Sequence, residues 1–144
     1  MCGITASTRF PGQLNASLRK VGVNSVPFPR MHFFMAGVAP LTRATSVVYR
    51  DFSVQDVAQE LLLGGNMLCR VNPYHIGKFI ACSVLFRGRM SPKEVDQEVL
   101  RVQSKGCSPF VEWIAGNIHS SICDVAPEGL SIHGTYLANS TAMH

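Results

Sequence analysis

Two apolar runs of strand length constrain this chain more than any other feature of its sequence. The first covers residues 31–38 (MHFFMAGV), and the second covers residues 79–86 (FIACSVLF). Nearly continuous apolar runs of this length are typical of strands that are covered on both faces of a sheet. The sequence therefore predicts two buried strands. We expect residues 31–38 to lie at the centre of the sheet and residues 87–89 to form the turn after the second strand.

Two short helices are predicted next to these strands. Asn15 is a good N-cap for a helix over residues 15–25, whose apolar positions follow helical spacing. Ser53 can cap a second helix, whose apolar positions at 54, 57, 61 and 62 follow helical spacing and which the glycine pair at 64–65 closes. The two prolines after the first helix end it before the strand at 31–38 begins.

The strongest local signal is the sequence Ser91-Pro92-Lys93-Glu94. Ser91 can cap a helix, Pro92 suits its first position, and Glu94 can complete a capping box. Valines at 95, 99 and 102 then supply the apolar stripe of a helix that runs to about residue 104. Shorter strands are predicted over residues 120–125 and 131–137. The pattern indicates an α+β fold, with helices packed on a mixed β-sheet.

A long segment without regular periodicity separates the first strand from the second helix. Residues 39–53 (APLTRATSVVYRDFS) contain small polar side chains and few spaced apolar ones. Loops of this length inside a compact domain are uncommon unless they bind something. We therefore expect an extended surface segment with a role in binding.

Length and composition limit the functions that these elements can support. At 144 residues and 47% apolar content, the chain suits one domain with its own core. The net charge of +4 comes from scattered basic residues, a distribution that does not favour nucleic-acid binding. No apolar stretch is long enough for a membrane span, and the first residues lack an export signal. We expect a soluble, cytoplasmic protein.

The search for catalytic and metal-binding motifs finds none. The sequence has no phosphate-binding loop, nucleophile elbow or HExxH motif, and its five cysteines include no CxxC pair. A nucleophile pair of Cys82 and His32 is a weak alternative. We expect His32 to be a hydrogen-bonded residue inside the first strand and Cys82 to be a buried, unreactive thiol. The sequence predicts neither a catalytic residue nor a metal site.

Six separated blocks resemble the beta chain of the tubulin family. They occur in the family's order along the chain: GQLNASLRK at 12–20, VPFPRMHFFMAGVAPLT at 26–42, FRGRMSPKEVD at 86–96, FVEWI at 110–114, CDVAPEGL at 123–130 and NSTA at 139–142. The resemblance implies that residues 1–144 are a single domain with the fold of the family's intermediate (C-terminal sandwich) domain. Residues 1–8 match the last turns of a central helix. We expect a diverged fragment without the family's nucleotide-binding domain and acidic tail.

The resemblance assigns residues 12–20 to a loop that reaches the GTP of a neighbouring subunit. Gly12, Asn15 and Lys20 are implied to contact this GTP, and the chain alone is implied to bind no nucleotide. In the family's alpha chain, a glutamate at the position of Lys20 helps water to attack GTP. A protonated lysine cannot act as that base, but it can pair with phosphate as a point charge. We therefore expect a contact without hydrolysis, and no enzyme activity.

The resemblance also assigns lateral contacts and ligand pockets. Residues 39–53 match the loop that bridges to beta-tubulin neighbours in adjacent protofilaments. The family's colchicine-type pocket is matched by Leu14, Ala16, Lys20 and Asn24, and its taxane pocket by Leu41, Thr42, Pro127, Gly129 and Leu130. Ser17 departs from the family, which has an aspartate there, and Ile76 is an apparent insertion.

The implied function is that of a structural constituent of microtubules in the cytoplasmic cytoskeleton. The implied partners are an alpha-tubulin-like subunit, lateral beta-tubulin neighbours and tubulin-folding chaperones, with no nucleic acid and no membrane. GTP enters only through a partner subunit. The alternative is a binding module that does not polymerise, and that acts as a decoy for tubulin or its folding factors or holds a small ligand.

Overall fold

The computed structural model describes residues 1–12, 17–47, 49–62, 66–71, 73–104, 110–111, 113, 116 and 118–144. Within these ranges the elements in chain order are α1 (Cys2–Arg9), α2 (Leu18–Ser25), β1 (Phe34–Ala39), α3 (Ala44–Val47), α4 (Val54–Leu62), α5 (Pro73–Ile76), β2 (Phe79–Gly88), α6 (Pro92–Ser104), β3 (Ile118–Cys123) and β4 (Ile132–Ser140), followed by a short 3-10 turn (Thr141–Met143). No helix in these ranges is long and apolar enough to cross a bilayer.

The strands form one sheet in the order β1-β4-β2-β3. The pairs β1–β4 and β2–β4 are antiparallel, whereas β2 and β3 run parallel and are connected through α6. A parallel pair needs such a crossover because a tight turn can join only antiparallel strands. This mixed sheet with packed helices confirms the predicted α+β class.

Different helices cover the two faces of the sheet. Helices α4 and α6 lie on one face, which we call the α4 face, and α1 and α2 lie on the other, the α1 face. Because side chains alternate along a strand, even-numbered residues of β4 and of β2 after its irregularity at residues 79–81 point to the α4 face, and odd-numbered ones point to the α1 face. Cys82, Val84 and Tyr136 thus join Val57 and Leu61 of α4 in the main apolar core.

The two best predicted helices begin where their capping residues stand. The hydroxyl of Ser53 accepts the backbone N–H of Asp56 at 3.2 Å and donates to the Asp56 carboxylate at 2.9 Å, which fixes the first turn of α4. In α6, Pro92 is the first residue, and the carbonyl of Ser91 accepts the N–H of Val95. Val95 is fully buried in the core. The predicted extent of α6 is confirmed.

The prediction that residues 31–38 form the central strand is wrong. Strand β1 begins at Phe34 and lies at the edge of the sheet, where only alternate residues are buried. Its outer edge meets residues 66–68 through a bridge between Gly37 and Met67. The central position belongs to β2 and β4, and all ten residues of β2 are buried. An apolar run shows that residues avoid water, but the pairing partners decide their place in the sheet.

The short helix after the first loop starts later than predicted. Ser17 is the N-cap of α2, because its hydroxyl accepts the backbone N–H of Lys20 at 3.2 Å. The predicted cap, Asn15, lies outside the described residues, as do the glycines at 64 and 65 that were expected to close α4. The predicted extended segment 39–53 contains the short helix α3.

Several strand boundaries also move. Strand β2 continues to Gly88, so the expected turn over residues 87–89 starts two residues later than predicted. Strands β3 and β4 begin and end at residues other than those expected, although both exist. The sequence did not predict α5, which starts at Pro73 and contains His75 and Ile76. Proline suits this position because the first residue of a helix needs no N–H partner within the helix.

Candidate functional site

The segment that follows α1 is pressed against the end of β3. The backbone N–H of Asp124 donates a 3.1 Å hydrogen bond to the carbonyl oxygen of Pro11. A methyl group on Gly12 would collide with the backbone oxygen of Ile122 and would lie 2.9 Å from Cα of Cys123. Backbone atoms cannot move aside as a flexible side chain can, so this approach requires glycine at position 12. Gly12 thus allows the chain to lie directly against the backbone of β3.

Lys20 lies in the first turn of α2, on the exposed side. The cap at Ser17 orients this turn through the backbone N–H of Lys20. Among the described residues the one ion pair joins Arg101 to Glu98, so no carboxylate there neutralises Lys20. An exposed ammonium group without a local acid can bind an external phosphate.

A cavity of about 300 Å³ lies between α2 and the first residues of β3. It brings two predicted residues, Lys20 and Asn24, together with His119. The described residues that line it are Lys20, Val21, Asn24, Ser83, Ile118, His119, Ser120 and Ser121. The predicted residues Leu14, Asn15 and Ala16 lie outside the described ranges, so their roles stay predictions.

A buried polar cluster fastens α2 to the sheet. The amide of Asn139, in β4, donates to the carbonyl oxygens of Ser25 at 3.0 Å and Met31 at 2.7 Å. The hydroxyls of Ser25 and Ser83 are 3.0 Å apart, and a ring nitrogen of His144 lies 3.3 Å from Oδ1 of Asn139. Sequence reasoning missed this cluster. The one signal that could have found it is an asparagine inside a buried strand, since a buried amide needs partners.

The second group of predicted pocket residues gathers at one end of the sheet. Because Ala39 pairs with Gly134, the residues after β1 and those before β4 leave the sheet at the same end. Leu41 is 65% exposed, and Gly129 adopts a φ of +83° in a turn closed by a hydrogen bond from Leu130 to Pro127. The five predicted residues lie on these two segments: Leu41, Thr42, Pro127, Gly129 and Leu130. Their role in binding a ligand stays a prediction.

The segment 39–53 is anchored at both ends and exposed between them. Ala39 and Phe52 are buried in the core, and the guanidinium of Arg50 lies 5.2 Å from the Phe52 ring. Between these anchors, Leu41 is largely exposed and Tyr49 is 91% exposed. An anchored segment with exposed apolar side chains can contact another molecule without changing the core.

The possible nucleophile pair of Cys82 and His32 is wrong. Cys82 is buried in the core, and burial raises the pKa of its thiol to about 12, which suppresses the reactive thiolate. His32 is exposed and precedes β1, contrary to the expectation that it lies inside a buried strand. No three His, Cys, Asp or Glu residues cluster as metal ligands in the described part of the chain.

Comparison with known proteins gives the family. Residues 29–144 match the family model described as the tubulin C-terminal domain. Over 143 residues, or 99% of this chain, the sequence is 53% identical to the tubulin beta-3 chain of Oomycete-like sp. (strain MacKay2000). It is 52% identical over 143 residues to the tubulin beta-5 and beta-6 chains of Ectocarpus variabilis. The chain spans about a third of the length of these curated relatives, since each match covers 32% of the relative.

The family match and the observed sheet with its helices agree with the resemblance in six sequence blocks. The match to beta chains extends over nearly all of the sequence and is not confined to one motif. The chain therefore belongs to the tubulin family, in which it represents the C-terminal domain of a beta chain.

Proposed function

We propose that this chain is a beta-tubulin-like constituent of microtubules that acts through contacts between subunits. The observation that carries the proposal is the 53% identity to a tubulin beta chain over 99% of this chain. Tubulin beta chains are cytoplasmic and cytoskeletal, and we propose the same location here. The proposed partners are an alpha-tubulin-like subunit at one end of the domain and beta-tubulin neighbours at its side.

The proposed longitudinal contact is the segment 12–20, facing the GTP of the next subunit. One structural observation at each end of the segment supports this contact. Gly12 holds the chain against β3, and Lys20 presents an uncompensated positive charge in the first turn of α2. A lysine ammonium attracts phosphate but cannot remove a proton from water, so the contact stabilises the nucleotide without hydrolysing it. The chain itself is proposed to bind no GTP and to catalyse no reaction.

The proposed lateral contact is the segment 39–53. Its ends are fixed in the core at Ala39 and Phe52, while Leu41 and Tyr49 between them are exposed. Apolar side chains held outward on a fixed segment lose little conformational entropy when a partner covers them. This small loss of conformational entropy favours a contact with a neighbouring subunit.

Co-sedimentation with microtubules tests the proposal. The 144-residue chain is added to alpha- and beta-tubulin during assembly, and the pellet is compared with that of the chain spun alone. We expect the chain to pellet only with the polymer. Replacement Lys20→Ala removes a charge–phosphate contact worth about 1 kcal/mol, which should weaken co-sedimentation about fivefold.

Lys93→Ala is the matched control, because Lys93 is also exposed but lies on α6. Equal losses in the Lys20 and Lys93 variants would contradict a specific role for Lys20. Pelleting of the chain without tubulin would show aggregation and would contradict incorporation. Inhibition of assembly without incorporation would favour the non-polymerising module, acting as a decoy for tubulin or its folding chaperones. Tight GTP binding by the chain alone would refute the expectation that GTP enters only through a partner.

A further inference from the structure

An arginine and a histidine lie side by side on the α1 face of the sheet. Arg87 of β2 and His133 of β4 are directly paired in the antiparallel register. Both are odd-numbered and therefore point to the α1 face, where Thr135, two residues further along β4, lies against Gly3 of α1. Helix α1 thus lies on the face of the sheet that carries this pair, against the neighbouring Thr135.

Arg87 is a buried cation without an acidic partner. Its side chain is only 9% exposed, its Nε–H donates a 3.2 Å hydrogen bond to the carbonyl oxygen of Val125, and its guanidinium lies 5.5 Å from the Phe10 ring. The described residues contain one ion pair, between Arg101 and Glu98, so no described carboxylate pairs with Arg87. Within the described ranges, the charge is stabilised by the carbonyl oxygen of Val125 and the aromatic face of Phe10.

The surroundings of His133 favour its neutral ring over the protonated one. Its Nδ1 is buried and has no hydrogen-bond partner among the described residues. Burial lowers the pKa of His133, and the positive charge of Arg87 lowers this pKa further. The neighbouring elements also carry the amino terminus, Cys2 and Arg9 on α1, and Asp124 and Glu128 before β4. Among the described charged groups, the one that lowers the pKa of His133 is Arg87.

We propose that protonation of His133 beside Arg87 releases α1 from the sheet. Like charges at directly opposed positions of a strand pair repel each other. No described acid compensates them, and β2 and β4 cannot separate without breaking the centre of the sheet. Helix α1 can move instead. Phe10, which lies over Arg87, directly follows α1, so repulsion at Arg87 acts on the end of this helix. The inference concerns the fold and is independent of the proposed function.

The direction of the pH effect follows from proton linkage. A histidine exposed by the release of α1 returns toward its ordinary pKa of about 6.5, whereas the covered one has a lower pKa. The open state therefore binds the proton more tightly. The contact of α1 with the sheet keeps its full stability above about pH 6.5. Below that pH the contact becomes less stable, and the equilibrium constant for the opening of α1 rises by up to about tenfold per pH unit.

Hydrogen exchange of the α1 amides tests the inference. The N–H groups of Thr5 and Phe10 are bonded to the carbonyls of Met1 and Ala6, so they report on α1. Exchange of the full chain is followed from about pH 7.5 to about pH 5.5 and corrected for intrinsic rates. In the unsubstituted chain we expect the opening equilibrium to rise by up to about tenfold per pH unit. His133→Gln should abolish this rise, and His119→Gln, at an exposed histidine of β3, should keep it.

A rise that persists unchanged in His133→Gln would overturn the inference. If that variant does not fold, Arg87→Gln supplies a second test on the unsubstituted histidine. Removing the guanidinium should move the NMR-measured pKa of His133 upward and reduce the pH response of the α1 amides. An unchanged pKa of His133 in Arg87→Gln would equally overturn the inference.

Discussion

The α4 face and the α1 face of the sheet are built on opposite principles. On the α4 face, apolar side chains of β2 and β4 pack against Val57, Leu61 and Val95 in a continuous core. On the α1 face, the same two strands add serine, arginine, histidine, threonine and asparagine to the buried apolar residues Ala81 and Leu85, and the polar side chains meet α1, α2 and their flanking segments. Two strands thus support an apolar core on one side and a polar attachment surface on the other.

The difference shows how the contact segments are held. Burial of apolar surface has no preferred direction, so the α4 face tolerates small shifts of its helices. Hydrogen bonds depend on distance and angle, so the polar side chains of the α1 face hold the end of α2 at Ser25 and the following segment at Met31 in one position. The segment proposed to face a neighbouring nucleotide, 12–20, leads from one helix of this face to the other.

The largest effect is expected from a cavity on the α4 face. Leu61→Ala removes a side chain that is 1% exposed and should lower the free energy of unfolding by about 3 kcal/mol. Urea unfolding followed by circular dichroism measures the change. Leu100→Ala on α6 is the control, because Leu100 is 63% exposed and should cost less than about 0.5 kcal/mol. Equal costs for the two leucines would contradict the assignment of the core.

A smaller effect is expected from Asn139→Ala on the α1 face. The substitution removes both hydrogen bonds to the carbonyls of Ser25 and Met31 and should cost about 2 kcal/mol. Hydrogen exchange should accelerate in α2 before it accelerates in α4, because only α2 is fastened by this amide. Uniform acceleration in both helices would mean that Asn139 supports the whole core and does not specifically attach α2.

The smallest effect is expected from the hydroxyl pair that joins α2 to β2. A double-mutant cycle with Ser25→Ala and Ser83→Ala should give a coupling energy of about 1 kcal/mol, because the two hydroxyls are 3.0 Å apart. Each single variant leaves one buried hydroxyl without its partner. The double variant should therefore be destabilised by less than the sum of the costs of the two single variants. Strictly additive costs would show that the pair contributes no direct interaction.

Local sequence patterns predicted the helices whose first turns contain or follow a typical starting residue. Helix α4 begins directly after Ser53, because the hydroxyl of this residue accepts an N–H group of the first turn, and α6 begins at Pro92, because proline suits the first position of a helix. The place of β1 was not predictable in this way. Its partners in β4 lie about a hundred residues away, and an apolar run carries no information about which strand it will pair with.

The candidate site was predicted in part. Lys20 and Asn24 were assigned by resemblance to one pocket region, and the structure places both at one cavity beside β3. Asn139 was missed because its two carbonyl partners are 114 and 108 residues distant in the chain. The pairing of Arg87 with His133 was missed for the same reason, since it exists only once β2 and β4 are in register.

The sequence by itself determined the α+β class, the apolar stripes of the helices, the buried character of β2 and membership of the tubulin family. These follow from local periodicity, capping and a match extending over nearly the whole chain. Only the tertiary structure decided the strand order, the edge position of β1 and the polar character of the α1 face. Those features depend on which distant backbone and side-chain groups meet, because a buried polar group is stable only where a partner completes its hydrogen bonds.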